Sequence, residues 1–253
     1  MNDVERLHTY LRSKANARGI IYQSSSFTVF GRTDDPATNI AIPNSSEVDD
    51  AHDAFAFCKT KAVTIQFLDS YAPSLDAILR NNDFVETERL PALTCSPATL
   101  RLPPSVTNVR IEIQDSATPL DAIMGGLYAN AKGFDASAPL PTIAEAEDFR
   151  RSLVTSRAAT AWLHEQPIGA GMFLEVQDGV TELVGIATLE AFRRRGVAAQ
   201  LTAALTRTAF EHGVTLAFLT AASETAARVY TRVGYEPAGW LRSYRAINYA
   251  AHT

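Results

Sequence analysis

What this chain of 253 residues lacks excludes several kinds of protein. It has only two cysteines, Cys58 and Cys95, too few for a disulfide framework and without metal-ligand spacing. Both are expected as buried, reduced thiols. The five histidines are scattered, with no H-x-E-x-H or similar pattern, so no metal site is expected. No apolar run approaches the ~20 residues that span a bilayer. The opening Met1-Asn2-Asp3-Val4-Glu5-Arg6 lacks the apolar core of a secretory signal. A surplus of basic charge is missing too: 23 Lys and Arg against 28 Asp and Glu leave a net charge of −5, which argues against a nucleic-acid-coating surface. There is no G-x-x-x-x-G-K-[ST] and no G-x-G-x-x-G after a strand, so neither common nucleotide fingerprint is present. These absences lead to the expectation of a cytoplasmic protein with no nucleic-acid partner, no membrane and no metal. Monomer and homodimer both remain open.

What is present is a large apolar fraction, 46%, enough for a sizeable core. The proline-rich stretch 96–105 cannot hold a regular helix or a central strand. It divides the chain into an N-terminal part (1–95), a linker (96–107) and a C-terminal domain (108–253). Beyond the linker, Val109–Ile113 alternates as a strand, and a helix after Pro119 carries Leu120, Ile123, Met124, Leu127 and Tyr128 on one face. Another helix is expected near Ala144–Thr155. Strands follow around Ala159–His164, Gly169–Val176 and Glu182–Leu189. A helix over Val197–Glu211, a strand over Val214–Leu219 and a helix over Glu224–Val233 complete the order. In the N-terminal part, strands are expected at Ile20–Tyr22, Phe27–Phe30, Asn39–Ile42, Val63–Leu68 and Phe84–Leu93. Helices are expected over Val48–Lys61 and Pro73–Asn81.

The most informative stretch is Glu182 to Leu201. An apolar strand, Leu183–Leu189, breaks into the basic turn Arg193-Arg194-Arg195-Gly196, and a helix opens with Val197, Leu201 and Leu205 on one face. A helix start exposes backbone N–H groups and the positive end of its dipole. Gly196 removes a blocking side chain, Ala198 keeps the first turn thin, and the arginines add positive charge. Arg193, Arg194, Arg195, Gly196, Val197 and Ala198 therefore make a seat for a phosphate-bearing ligand, best a pyrophosphate. The pattern R-x-x-G-x-A at Arg193, Gly196 and Ala198 resembles the acetyl-CoA signature of the GNAT superfamily of N-acetyltransferases. Downstream, Ala226-Ala-Arg-Val-Tyr-Thr-Arg-Val-Gly-Tyr235 is similar to the A-x-x-[LV]-Y-x-[KR]-x-G-[FY] signature that closes the GNAT core. The resemblance covers roughly residues 108–249.

That resemblance implies an α/β GNAT fold, a mixed central sheet flanked by helices, and acetyl transfer from acetyl-CoA to a primary amine of a small-molecule or amino-acid-like acceptor. A non-catalytic acyl-CoA-binding or sensing protein is the alternative. The pantetheine arm would run beside Ala187, Thr188, Leu189 and Glu190, with Ser223 and Ala226 also near the cofactor. Family members often carry asparagine at the position of Ser223. Tyr230 would be the general acid; phenol and thiol have pKa values near ~10 and ~8.5, close enough for proton donation to a departing thiolate. Glu182, six residues before Thr188, matches a glutamate used as base in one branch. Tyr128 and Phe134 are the candidate acceptor contacts, since the loop around the first two helices walls the acceptor site in this fold. Laid on the C-terminal part, the first 95 residues show a weak echo: Phe67-Leu68 falls on Phe218-Leu219 and Asp83-Phe84 on Gly234-Tyr235. Leu79 falls on Tyr230, and no R-x-x-G-x-[G/A] lies upstream. The N-terminal part is thus expected as a smaller, degenerate GNAT-like domain without catalysis.

Overall fold

The computed structural model describes residues 1–33, 35–49 and 51–248; the last residues of the expected C-terminal domain, 249–253, lie outside the described residues. Two compact units emerge. One comprises Met1–Ala92, Thr220–Ser223 and the segment from Pro237 onwards; the other comprises Leu93–Leu219 and Glu224–Glu236. The units do not follow the linear cut at 96–107.

The first unit opens with a helix that hydrophobic periodicity does not announce, α1 (Asp3–Asn16). Its start is a capping box: the Asn2 side chain accepts from the Glu5 N–H at 2.9 Å, and Glu5 reaches back to the Asn2 N–H at 2.9 Å. Strands β1 (Ile20–Gln23), β2 (Phe27–Arg32) and β3 (Asp35–Pro43) form an antiparallel meander. After α2 (His52–Thr60), β4 (Thr64–Leu68) pairs parallel with β3; α3 (Leu75–Asn81) and β5 (Phe84–Cys95) follow. Phe27, Phe55, Phe67, Leu75 and Phe84 are buried in one apolar cluster.

The C-terminal strand completes this first unit, a correction to a continuous 108–253 domain. Numbered last in the chain as β11 (Glu236–Ala246), it lies between β4 and β5 and pairs antiparallel with β4, Leu241 opposite Leu68 and Tyr244 opposite Ile65. The physical reason is a set of polar ties made at this location. Tyr244 is fully buried, and its hydroxyl donates to the Asp76 carboxylate. Arg242 donates to Glu86 at 2.6 Å and approaches Asp76 at 3.1 Å. Burial works against the Asp76 carboxylate, but hydrogen bonds from Tyr244, Arg80 and Arg242 outweigh it and hold its pKa down at about 2.

The second unit contains β6 (Val109–Gln114), α4 (Leu120–Phe134), α5 (Ile143–Ser152), β7 (Arg157–Leu163), β8 (Gln166–Phe173) and β9 (Val180–Thr188). A 3-10 turn (Glu190–Phe192), α6 (Val197–Glu211), β10 (Leu216–Thr220) and α7 (Glu224–Thr231) follow. Its strand order is β10-β9-β8-β7-β6, antiparallel except for the parallel β9–β10 pair. Strand alternation sorts the helices to opposite faces. Gly169 and Gly171 of β8 back onto Leu201, Val197 and Leu205 of α6, whereas Thr160 and Trp162 of β7 back onto Gly126 and Gly125 of α4.

Two irregularities shape the functional end of this sheet. The β9–β10 ladder runs from Val180 opposite Leu216 to Glu182 opposite Phe218 and goes no further, so the strands part beyond Glu182. On the other edge of β9 the register with β8 slips: Ala170 faces Ala187 but Met172 faces Val184, which leaves one extra residue on β9. Gly185 sits in this bulge at φ +65°, a conformation that favours glycine. The Asn130 side chain of α4 donates to the Gly185 carbonyl at 2.6 Å and holds the bulge in place.

Candidate active site at the β9–α6 turn

The strand ends at Thr188, and the chain turns through the arginines into α6. Gly196 is the residue before the helix, at φ +88°. An L-residue there costs about 1–2 kcal/mol, and a β-carbon would also come within 3.2 Å of Val106 Cγ2. The first bond of the helix runs from the Gln200 N–H to the Gly196 carbonyl at 3.0 Å, and no side chain caps the start. The N–H groups of Val197, Ala198 and Ala199 are therefore without intrahelical partners, at the positive end of the dipole. They border a cavity of about 300 Å³.

Strand β9 contributes Ile186 and Thr188 to that cavity. Thr188 is buried, and its hydroxyl has no hydrogen-bond partner. An orphaned buried hydroxyl is costly unless a ligand satisfies it, so this wall is built for a polar guest. Residues from α7 and its exit, Ala226, Val229, Tyr230 and Arg232, form another wall. The Tyr230 ring meets Tyr235 edge-on at 6.3 Å, and the Tyr235 hydroxyl is fixed against Thr206 at 2.8 Å. Burial raises the Tyr230 phenol above its ordinary value, so it stays protonated at neutral pH. The donors around this cavity fit a phosphate-bearing, amide-rich ligand of the acyl-CoA kind.

The three arginines do different things. The Arg193 side chain donates to the Gly133 carbonyl in the last turn of α4 at 2.8 Å and to the Thr188 carbonyl at 3.2 Å. It is a strut between α4 and the end of β9, and it borders the cavity as well. Arg194 borders the cavity with a left-handed backbone, φ +63°. Arg195 lies over the Phe192 ring, 5.4 Å from its centroid. Arg232, the basic position of the second motif, borders the cavity and was available from that motif.

Other expected positions move by one residue. Ala187 and Leu189 do not border the cavity, because β9 alternates and presents Ile186 and Thr188 instead. Ala187 lies against Gly133, where an added β-carbon would meet its own at 2.9 Å. The Leu189 N–H is used in the sheet, donating to the Ile168 carbonyl at 2.9 Å. Glu182 is 6% exposed and borders neither this cavity nor the one described next; it is the last β9 residue paired with β10. Ser223 is exposed in the turn before α7.

A second cavity, about 240 Å³, lies on the α4 side of β9. Leu127 and Asn130 of α4 border it, along with Val184 and Gly185 of the bulge. Tyr128 and Phe134 do not; Phe134 is 65% exposed. The helix is rotated so that the positions beside Tyr128, not Tyr128 itself, face the strand. Among the described residues no group of three or more His, Cys, Asp or Glu is placed to hold a metal. Nor is any helix among them long and apolar enough to cross a membrane.

An antiparallel meander, a bulged strand that parts from a parallel neighbour, and an uncapped helix at the parting define the GNAT fold. Residues 129–235 match the model of the acetyltransferase (GNAT) family. Among solved structures, the chain is similar to a GCN5-related N-acetyltransferase from Kribbella flavida, with a TM-score of 0.73 and 24% identity over 98% of this chain and 96% of that one. It is also similar to a GCN5-related N-acetyltransferase from Sphaerobacter thermophilus (TM-score 0.60, 13% identity, 87% of this chain, 75% of that one). A tandem GNAT protein from the clavulanic acid biosynthesis pathway aligns with a TM-score of 0.59 and 12% identity, over 87% of this chain and 78% of that one. At these identities the likeness establishes the fold, over nearly the whole chain. No curated protein matches the sequence.

The first unit repeats the order of antiparallel meander and parallel pair. Its meander also ends in a parallel pair, β3 with β4, and Asp83 at φ +59° stands where the echo places Gly234 at φ +97°. After β3, however, come Asn44-Ser-Ser-Glu47, with no glycine and no arginine. There the Asn44 side chain is spent internally, donating to the Ser24 and Ser25 carbonyls at 2.8 and 3.1 Å and accepting from Arg12 at 2.6 Å.

Proposed function

We propose that the chain transfers the acetyl group of acetyl-CoA to a primary amine of a small-molecule or amino-acid-like acceptor, directly and without a metal, in the cytoplasm. The observation that carries this reading is the uncapped start of α6 behind the left-handed Gly196, opening on a cavity with an orphaned Thr188 hydroxyl on one wall and Tyr230 on another. The N–H groups of Val197, Ala198 and Ala199, with Arg194 and Arg232, would hold the pyrophosphate, and Thr188 would hold an amide of the pantetheine arm. Bound acetyl-CoA supplies an activated acetyl group and a thiolate leaving group. Tyr230 supplies the proton that the departing sulfur needs, and its raised pKa keeps that proton in place at neutral pH. Glu182, buried where β9 and β10 part, is the proposed base for the acceptor nitrogen. Holding the partners in line is potentially the largest contribution, ~7–11 kcal/mol. In this reading residues 1–95 are a non-catalytic, degenerate GNAT-like domain. The test is calorimetric titration with acetyl-CoA followed by an assay of thiol release with amine acceptors. Binding followed by acceptor-dependent release supports the reading; binding without any release returns the chain to the acyl-CoA sensors.

A further inference from the structure

The second cavity has a composition that the acetyl-transfer reading does not require. Its walls are mostly apolar: Leu127, Phe149, Met172 and Val184 border it, with small residues between them. No lining residue is ionisable. The polar atoms that remain are also constrained. Gln114 is 1% exposed, and its amide nitrogen donates to the Ala122 carbonyl at 2.8 Å. Asn130 spends its amide nitrogen on the Gly185 carbonyl at 2.6 Å. Each NH₂ spends one of its two donors on a backbone carbonyl, which fixes the amide, and each amide oxygen can accept. Thr160 is fully buried, and its hydroxyl has no partner. Gly126 marks how close these groups lie: a β-carbon there would be 2.6 Å from Thr160 Oγ1 and 3.0 Å from Gln114 Oε1.

Such a chamber selects against charge. An ammonium entering it would lose its water against walls that offer no counter-ion, and would have to shed its proton instead. A neutral N–H donor finds the amide side chains of Gln114 and Asn130 at the wall, with the Thr160 hydroxyl behind Gly126, and an apolar body finds Phe149, Met172 and Val184. The volume of about 240 Å³ equals roughly eight waters of bulk liquid, the size of a single small ring with a substituent. The cavity also touches the chemistry. Gly185 borders it, while the next residue of the same bulge, Ile186, borders the α6 cavity. A nucleophile seated here therefore lies one bulge residue away from the thioester seat.

We infer that the second cavity binds the acceptor, and that the acceptor is a small amine with an apolar, ring-sized body and a nitrogen that is uncharged at neutral pH, of the arylamine class. Its chemistry rests on the proposed acetyl transfer; its binding does not. The chain has three methionines, Met1, Met124 and Met172, so the methyl group of Met172 is a resolvable reporter inside the cavity. Aniline, and cyclohexylamine as the cationic counterpart of the same size, are titrated at pH 7 into protein labelled at the methionine methyls, without acetyl-CoA. A saturable shift of Met172 with aniline, at least tenfold tighter than with cyclohexylamine, is the expected result, with the 77%-exposed Met1 unmoved. Val184→Phe, which fills the cavity, should weaken aniline binding tenfold or more at an unchanged melting temperature. No Met172 shift with aniline, or equal affinity for the two amines, overturns the inference whether or not acetyl-CoA binds elsewhere. Acetylation of cyclohexylamine in preference to aniline would also overturn it while leaving the proposed acetyl transfer standing.

Discussion

Replacing Arg193 and Arg194 separately should split stability from affinity. The two arginines are neighbours in one basic turn, yet only Arg193 is tied to the protein frame. Arg193→Ala removes a donor from the Gly133 carbonyl, at 2.8 Å, and from the Thr188 carbonyl, at 3.2 Å. A hydrogen bond from a charged donor contributes about 1.5–3 kcal/mol, and a cation at a helix C-terminus adds a few tenths more. One bond is long and the residue is exposed, so the expected loss is about 2 kcal/mol. For a chain of this length that lowers the melting temperature by roughly 4–8 °C. Arg194→Ala should leave the melting temperature within about 1 °C, because surface changes without buried partners seldom exceed ~0.5 kcal/mol. Its effect should fall on acetyl-CoA affinity, by about three- to tenfold, for one lost charge near the helix start. Thermal melting of both variants, with calorimetry well below the transition, separates the two. An unchanged melting temperature for Arg193→Ala together with lost binding would refute the strut.

The remaining expectations concern single side chains. His8 is 3% exposed and stacked on Tyr71 at 3.6 Å; burial first, then the nearby Arg12 charge, pushes its pKa from 6.5 down to about 4, against an opposing pull from the Pro43 backbone. The folded state thus resists protonation that the unfolded chain accepts, so stability is full above pH 6.5 and falls by about 3 kcal/mol towards pH 4. Denaturant melts across that range should show the decline in wild type and a flatter curve in His8→Phe. Tyr230→Phe should lower kcat 10²-fold or more with acetyl-CoA affinity changed less than threefold, as removal of an acid that acts only in the transition state does; a wild-type rate would leave Tyr230 a wall residue. Glu182→Gln should likewise lower kcat without weakening cofactor binding, and an unchanged rate would assign proton removal to solvent.

Local patterns in the sequence were legible wherever the determinant is local. The turn Arg193–Gly196, the apolar spacing of α6 and the order of elements between Val109 and Tyr235 follow from periodicity and from one left-handed position. The N-terminal helix α1 was missed because its apolar stripe is short, although Asn2 and Glu5 spell its capping box. The home of β11 could not be read, since strand pattern carries no address; Arg242 and Tyr244 reveal it only when Asp76 and Glu86 stand opposite. Ile186 was missed and Ala187 expected because the bulge at Gly185 and the strand alternation decide together which side chain faces α6. A one-position rotation of α4 likewise exchanged Tyr128 for Leu127 and Asn130. The structural tie of Arg193 is not legible for a simpler reason: a guanidinium's partner is chosen by the carbonyls within reach, here Gly133, 60 residues upstream.

The central claim is that the left-handed Gly196 and the uncapped start of α6 form an acetyl-CoA seat. The most direct measurement is calorimetric titration of the wild-type protein and of Gly196→Glu with acetyl-CoA. The φ of +88° adds a strain of about 1–2 kcal/mol to the variant, so its folding is followed by melting in parallel. Micromolar binding by the wild type, absent in a folded Gly196→Glu, is the predicted result. Equal affinity in the two proteins, or no binding by the wild type, would contradict the account.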